Sequence, residues 1–403
     1  MESPRLIAAL ARIVRDVGIA EDLAQDALVI ALEKWPATGI PDNPGAWLMT
    51  SAKRRAIDLL RRNKRYQEKL EEVGRSSLPY TEQDVDRLLD GEIGDDLLRL
   101  IFTTCHPVLS QEARVALTLR LLGGLTTDEI AHAFLVPEPT IAQRIVRAKR
   151  TLSQKQIPFE TPVGEAFKER LPTVLEVIYL MFNEGYTATA GQHLIRPLLC
   201  QEALRLGRIL AAMSPAEAEV HGLVALMELQ SSRMRARVNR NGELVRLMDQ
   251  NRADWDPLLI RRGLAALERA RAQGRPLGPY ALQAAISACH AEARSEAETD
   301  WVRIAALYEA LSRVLPSPVV ELNRAVAIGK AFGPEFGLQL ADMLVEVPAL
   351  QHYHLLPSVQ GDFLFQLGRY EEAQAAFERA AAMTGNERER DLLRKRAGEC
   401  NQS

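Results

Sequence analysis

Apolar residues recur at helical spacing through almost the whole of this 403-residue chain, and alternating β-branched runs are scarce. Ala, Leu, Arg and Glu dominate, which favours helices further. The pattern restricts the chain to an all-α fold. Leu6 to Val17 predicts a first helix stopping near Gly18, and Glu21 to Trp35 a second, broken by Pro36 and the Gly39–Pro44 stretch. Trp47 to about Arg65 predicts a third, with Leu48, Ala52, Ile57 and Leu60 facing a core. Residues 66–94 are polar, acidic and broken by Gly74, Pro79, Gly91 and Gly94, so they read as a linker. Helices resume at Asp95 to Phe102 and at Gln111 to Leu122, the latter ended by Gly123–Gly124. Beyond Pro158 the chain is helical to its end, with breaks at Gly185–Gly191, Pro215, Asn239–Gly242, Gly274–Pro279 and Pro316–Pro318. At roughly 100–200 residues per domain the length allows two to four domains. With 47% hydrophobic residues there is enough apolar surface to give them cores.

Several function classes are excluded by what is missing. No apolar run approaches the roughly 20 residues of a membrane helix. MESPRLIAALARIVRD becomes charged too soon for a signal-peptide core. The four cysteines are scattered, which argues against a disulfide framework and for a reducing cytoplasm. Cys105–His106 and Cys289–His290 each lack a second pair at zinc spacing, so no metal and no cofactor is expected. There is no Gly-rich phosphate loop, no G-x-S-x-G and no H-E-x-x-H, so an enzyme is disfavoured.

The net charge of -3 seems unfriendly to nucleic acid, but it is unevenly distributed. Residues 1–75 carry 13 basic and 11 acidic residues, residues 76–100 two and seven, and residues 101–160 seven and five. Lys53 to Arg65 alone holds seven basic residues against one acid, Asp58. Arg144, Arg147, Lys149, Arg150 and Lys155 form a second cluster. Both clusters are candidate phosphate-binding surfaces.

The second cluster lies in a helix-turn-helix pattern. Thr126 precedes Glu129 by three residues, a capping box that opens a short helix, Thr127 to Phe134. Pro139 stands near the first position of the next helix, which runs to about Gln154. Ile130, Ala131 and Phe134 point inward from the first helix, and Ile141, Ile145, Ala148 and Leu152 from the second. Thr140, Gln143, Arg144, Arg147 and Arg150 are left outward, where Gln and Arg can pair with base edges in the major groove. An ordinary helical hairpin with a solvated basic face is the alternative.

The upstream stretches EDLAQDALVIALEKW and NPGAWLMTSAKRRAIDLLRRNKR carry a resemblance to a known family. Asp22, Leu23, Gln25, Asp26 and Trp35 in the first, and Trp47, Leu48, Ala52, Arg54, Ala56, Ile57, Asp58, Leu60, Arg61 and Arg62 in the second, resemble region 2 of extracytoplasmic-function (ECF) sigma factors of bacterial RNA polymerase. Leu125 to Leu152 resembles region 4, with Ala142 where many sigma factors carry Lys or a polar residue. YLMFNEGYTATAG, residues 179–191, resembles the subgroup with a long helical extension. The resemblance implies that Asp22, Gln25, Asp26 and Leu28 dock on core RNA polymerase, at the beta-prime clamp helices, with the beta flap as a further contact. It implies that Arg54, Arg55, Arg61, Arg62, Lys64 and Arg65 hold the -10 promoter element, and that Thr140, Gln143, Arg144, Arg147 and Arg150 hold the -35 element. Asp58 reads as an i,i±4 partner of Arg54 or Arg62, and Trp47 as either core or a base-stacking residue. The acidic linker is either a mobile mimic of nucleic acid or a solvated tether.

The expected organisation is region 2 over residues 1–66, the linker over 67–95, region 4 over 96–157, a family-specific helical domain over 158–300 and tetratricopeptide-like (TPR-like) repeats over 301–403. Gly361, Gly368, Tyr370, Ala373, Phe377 and Ala380 fit the tetratricopeptide spacing, and Ile304 to Ile328 is a diverged candidate. Asn183, Glu184 and Tyr186 form a candidate regulatory motif, read either as a pocket or docking loop or as a capped and packed helix junction. Arg233, Arg235 and Arg237, at spacing two, read as lining an extended segment that accepts Glu184 or an acidic partner. Helical-repeat surfaces bind proteins, so a regulatory protein on the TPR-like domain is a candidate partner alongside core polymerase and promoter DNA. The expected function is a cytoplasmic sigma factor whose extension controls it in cis. The alternative is a ligand- or protein-responsive helix-turn-helix activator with a TPR-type sensor.

Overall fold

Asp16 sets where the first two helices divide. Its carboxylate accepts hydrogen bonds from the backbone N–H groups of Gly18 (2.8 Å) and Ile19 (3.0 Å), which makes it an N-cap. The first helix, α1 (Ser3–Val14), therefore stops earlier than its apolar pattern suggests, and Gly18 lies inside α2 (Val17–Thr38) rather than ending α1. Pro36 does not break α2 either. It falls in the last, exposed turn, where water can take the carbonyl that its missing N–H leaves free. The N–H of Gly39 closes the helix on the carbonyl of Trp35.

The computed structural model describes residues 3–71, 93–134, 136–186, 197–239 and 244–401. Most of the acidic linker lies outside them. Among the described residues the all-α expectation holds, with one isolated bridge, Val238–Leu244, as the exception. The chain divides into two compact units, Met1–Met181 and Phe182–Ser403.

The first unit holds α1, α2, α3 (Pro44–Glu71), α4 (Ile93–Thr104), α5 (Gln111–Leu121), α6 (Thr127–Phe134), α7 (Glu138–Gln154) and the first part of α8 (Glu165–Tyr186). α1 is apolar nearly all round and packs against α2, α3, α4 and α5. α5, α6 and α7 pack on one another, and α7 also touches α2. α8 joins this unit through Arg170, whose guanidinium lies over the Phe102 ring and donates to the Phe102 carbonyl, and through Gln111, which donates to Glu176.

α6 forms where the capping box predicts it. The Thr126 N–H and hydroxyl donate to Glu129 Oε2 at 2.7 and 2.9 Å, and the Glu129 N–H donates back to Thr126 Oγ1 at 3.1 Å.

The second unit runs through α9 (Pro197–Met213), α10 (Ala218–Ser232), α11 (Pro257–Ala272), α12 (Pro279–Glu292), α13 (Trp301–Val314), α14 (Pro318–Phe332), α15 (Pro334–Asp342), α16 (Leu355–Gln366), α17 (Tyr370–Met383) and α18 (Glu387–Glu399). Most helices from α9 onward pack mainly on their neighbours in sequence; α12 instead packs most on α10, which is buried among α9, α11 and α12. Close approach needs glycine at several joints, Gly222 and Gly361 among them. A Cβ on Gly222 would lie 2.6 Å from Ala281 N, and one on Gly361 would lie 2.8 Å from the Phe377 ring. The residues of the tetratricopeptide pattern thus form a helix–turn–helix pair, α16–α17.

Neither Cys–His pair stands beside further ligands; among the described residues no three His, Cys, Asp or Glu side chains gather as a metal site. Cys105 lies buried against Thr118 and Thr104, and burial pushes its thiol up to about 11. His290 packs edge-on against Trp301, with ring centroids 5.2 Å apart. Burial, with Arg233 and Arg252 nearby, pulls the His290 imidazolium down to about 3.

Two measurable consequences follow from these contacts. Thr126→Ala removes a cap worth about 1 kcal/mol, so hydrogen exchange of the first-turn amides of α6 should quicken about five-fold. His290 stays neutral when folded but takes a proton below about 6.5 when unfolded. The unfolded state therefore binds more protons between about pH 6.5 and 3, and the second unit should lose stability as pH falls through that window. Urea midpoints at pH 7.5 and pH 5 should differ in the native chain and differ less in His290→Phe, which keeps an aromatic ring against Trp301.

Candidate nucleic-acid interface

The helix-turn-helix is built from α6 and α7. Ile130, Ala131, Ile141, Ile145, Ala148 and Leu152 are all buried, as the 3.6-residue period requires. Thr140, Gln143, Arg147 and Arg150 are exposed on the opposite side, and Arg144 is half-buried at its flank. Val146 stands among them, 63% exposed, and was missed. A valine in a helix normally signals core; its misfit with the inward stripe at 141, 145, 148 and 152 was the available clue.

Lys149 does not join the outward cluster. It is half-buried, and its ammonium pairs with Glu21 of α2. Glu21, buried to 3% exposure, also accepts from Arg120 of α5 at 2.6 Å and from Gln25 at 2.9 Å. A buried carboxylate demands such partners, and this demand takes Lys149 away from the outward, exposed set.

α2 presents Asp22, Gln25 and Asp26 to solvent and half-buries Leu28. Val29 and Leu32, 53% and 75% exposed, extend this face with apolar surface. On α3, Arg54, Arg61 and Arg62 are exposed, while the side chains of Lys64 and Arg65 fall outside the described residues. Arg55 makes an ion pair with Asp26. A presumed phosphate contact and a presumed polymerase contact thus hold each other across α2 and α3. Among the described residues Asp58 forms no ion pair with Arg54 or Arg62, in keeping with the few tenths of a kcal/mol that an exposed helical pair supplies. Trp47 is half-buried and packs edge-on against Trp35, centroids 5.6 Å apart.

The 182–186 segment resolves as a packed junction. Phe182 stacks on Tyr186 at 5.7 Å, and the Arg237 guanidinium lies 3.9 Å over the Tyr186 ring and donates to the Tyr186 carbonyl. Gly185 fits against Cys200, whose thiol donates to the Phe182 carbonyl at 3.5 Å and is pushed up to about 12 by burial. Asn183 and Glu184 are half-buried in the last turns of α8. The arginine triplet is not extended: Met234–Arg237 is a short 3-10 helix, which turns Arg233 and Arg237 toward the same tyrosine.

Comparison with known proteins agrees with this layout. Residues 1–66 match sigma-70 region 2, and residues 99–152 match sigma-70 region 4. Residues 170–271 match a family of unknown function, DUF6596. An uncharacterized protein of Rhizobium meliloti (strain 1021), R00370, is 44% identical over 392 residues, 97% of this chain and 92% of its own length. The ECF RNA polymerase sigma factor SigK of Mycobacterium ulcerans (strain Agy99) is 30% identical over 153 residues, 37% of this chain and 78% of SigK. SigK of Mycobacterium sp. (strain KMS) is 30% identical over 145 residues, covering 35% and 72%. With both sigma regions in order and a DUF6596 segment behind them, the chain belongs to the ECF sigma factors of the sigma-70 family, non-enzymatic initiation factors for RNA polymerase.

Proposed function

We propose that this sigma factor engages core polymerase through Asp22, Gln25, Asp26 and Leu28, grips the -10 element with Arg54, Arg61 and Arg62, and reads the -35 element with Thr140, Gln143, Arg144, Arg147 and Arg150. The observation that carries the reading is the exposure of both cationic sets on helices whose other faces are buried. Opening a duplex costs stacking and pairing, so exposed strand must be held through its phosphates, a task suited to the arginines of α3. Lys64 and Arg65 extend the same run in sequence. Arg55 contributes after it leaves Asp26. Val146 adds an apolar contact suited to a thymine methyl. The clamp helices of beta-prime are the partner for α2, and the beta flap a partner for region 4.

The second part of the reading concerns the extension. Residues 67–95 tether the two sigma regions, and the helices beyond residue 157, with TPR-like pairs from 301 onward, regulate them in cis or receive a regulatory protein. Supporting this is a second compact unit, Phe182–Ser403, with its own buried clusters, attached to a minimal sigma pair.

Run-off transcription with purified core polymerase tests the first part. The chain alone should show little promoter affinity and should start transcripts once core is added. Arg61→Glu with Arg62→Glu removes two charge-assisted contacts worth about 1.5–3 kcal/mol each, so open complexes should fall at least ~100-fold while core binding persists. Tight duplex binding without polymerase, and no polymerase-dependent start, would instead indicate a helix-turn-helix activator. For the second part, ending the chain after Met181 keeps the Arg170–Phe102 contact. Promoter-dependent transcription should change; equal yields from the short and full chains would remove the cis-control idea.

A further inference from the structure

Of the chain's 10 phenylalanines, Phe332 and Phe336 are the two that stay exposed, at 58% and 55%. They lie on either side of Gly333, where α14 ends and α15 begins. The joint that carries them is tight. A Cβ on Gly329 or on Gly337 would lie 2.3 Å from the Phe363 ring, so α14 and α15 clasp this buried ring between them. The exposed pair is therefore held in place before any partner arrives, which lowers the ordering cost of binding.

α15 continues the surface. Phe336, Leu340 and Met343 recur at i, i+4 and i+7, which sets them along one line of the helix and its last turn. Met343 is 71% exposed, and Leu340 is half-buried. Gly337, Leu338 and Ala341, on the other side of α15, are buried. An apolar stripe left in water costs free energy in proportion to its area, so a preserved one marks a docking site. Beside it stand Glu335, Asp342 and Glu346, all exposed. Asp342 accepts from Gln360 at 2.6 Å, which leaves its charge uncompensated. Among the described residues none of the three forms an ion pair. Residues 331–368 contain no Lys or Arg. The cations that bound this stretch are engaged elsewhere, Lys330 with Glu296 at 3.0 Å and Arg369 with Glu372 at 2.7 Å.

We propose that this face docks a helix of a separate protein, apolar along one stripe and carrying Lys or Arg along the edge that meets Glu335, Asp342 and Glu346. Amphipathic helices are recognised through apolar anchors at such spacing, and the flanking charges set the choice of partner. The acidic edge repels phosphates, so nucleic acid and anionic lipid do not fit. A second copy of this chain fits poorly as well. Pairing the face on itself, antiparallel about a two-fold axis, sets the acids of one copy against those of the other. The proposal rests on the reading that the extension receives a regulatory protein, and gives that protein a site and a chemistry.

The probe is a synthetic, alanine-based helical peptide of about 18 residues, with Leu at i, i+4, i+7 and i+11 and Lys along one flank. Fluorescence anisotropy with the full chain should show binding that weakens as salt rises. Phe332→Ser with Phe336→Ser should weaken it at least ~30-fold. Glu335→Gln, Asp342→Asn and Glu346→Gln together should weaken it about 10-fold and remove most of the salt dependence. Glu371→Gln with Glu378→Gln, exposed acids of α17, should leave it unchanged. An affinity unmoved by the phenylalanine pair, or weakened as much by the α17 pair as by the acidic edge, would overturn the proposal. Dimerisation of the free chain, or its attachment to phosphatidylglycerol vesicles, would do the same if the phenylalanine changes abolish it. Peptide binding is read without polymerase, so its failure removes this face alone. Transcription by the chain ending at Met181 still decides the role of the extension.

Discussion

A carboxylate taken out of water costs several kcal/mol unless cations and donors surround it. Glu21 is such a group, and the layout of the first unit follows from where it sits. Around it α2 is divided into three faces. Ala20, Leu23, Ala24, Ala27 and Ala31 are buried, the four alanines small enough to let α1 and α3 approach closely. Glu21 points to α5 and α7. Asp22, Gln25 and Asp26 are left to solvent. One helix therefore contributes to the core, to the contact with α5 and α7 and to the exposed surface.

Local signals were the legible ones. The capping box at Thr126 and Glu129, the glycines at 123 and 124 and the inward stripe of α7 depend on neighbours three or four residues away, and each appears where the spacing predicts. What escaped the sequence depends on groups far apart in the chain. Glu21 and Arg120 lie 99 residues apart, and nothing near Lys149 tells it from Arg147 or Arg150. The ends of α1 and α2 were misjudged for a different reason. Asp16 outcompetes a continuing apolar pattern by satisfying two backbone donors, and Pro36 is harmless one turn from an exposed end. At Arg233–Arg237 a spacing of two suggested extended chain, whereas the Tyr186 ring gathers two of the arginines around a 3-10 turn.

The second unit uses buried charge differently. Glu219 accepts from the backbone N–H groups of Tyr280 (2.9 Å) and Ala281 (3.2 Å), sealing the start of α12, and burial raises its carboxyl above the ordinary range. Asp362 of α16 is bridged by Arg246 at 3.4 Å and by Arg396 of α18 at 2.7 Å. These locks tie helices distant in sequence onto an otherwise neighbour-to-neighbour stack. In such a stack stability is close to a sum of local joints, so a joint can open without melting the whole. The Asp362 bridge adds a condition: α18 and the Arg246 segment respond together, because they share one carboxylate.

The second helix of the helix-turn-helix keeps its contact with α2 apart from its exposed cationic face. At about 100° per residue, Gln143, Val146, Arg147 and Arg150 fall within roughly 60° of one another's mean direction, opposite Ile141, Ile145, Ala148 and Leu152. Lys149 falls about 120° from Gln143, on the flank between the two sets. From there its long stem reaches Glu21 while the outward face stays uncovered, consistent with the exposure of Gln143, Arg147 and Arg150. The contact of α7 with α2 thus leaves the exposed face of α7 uncovered.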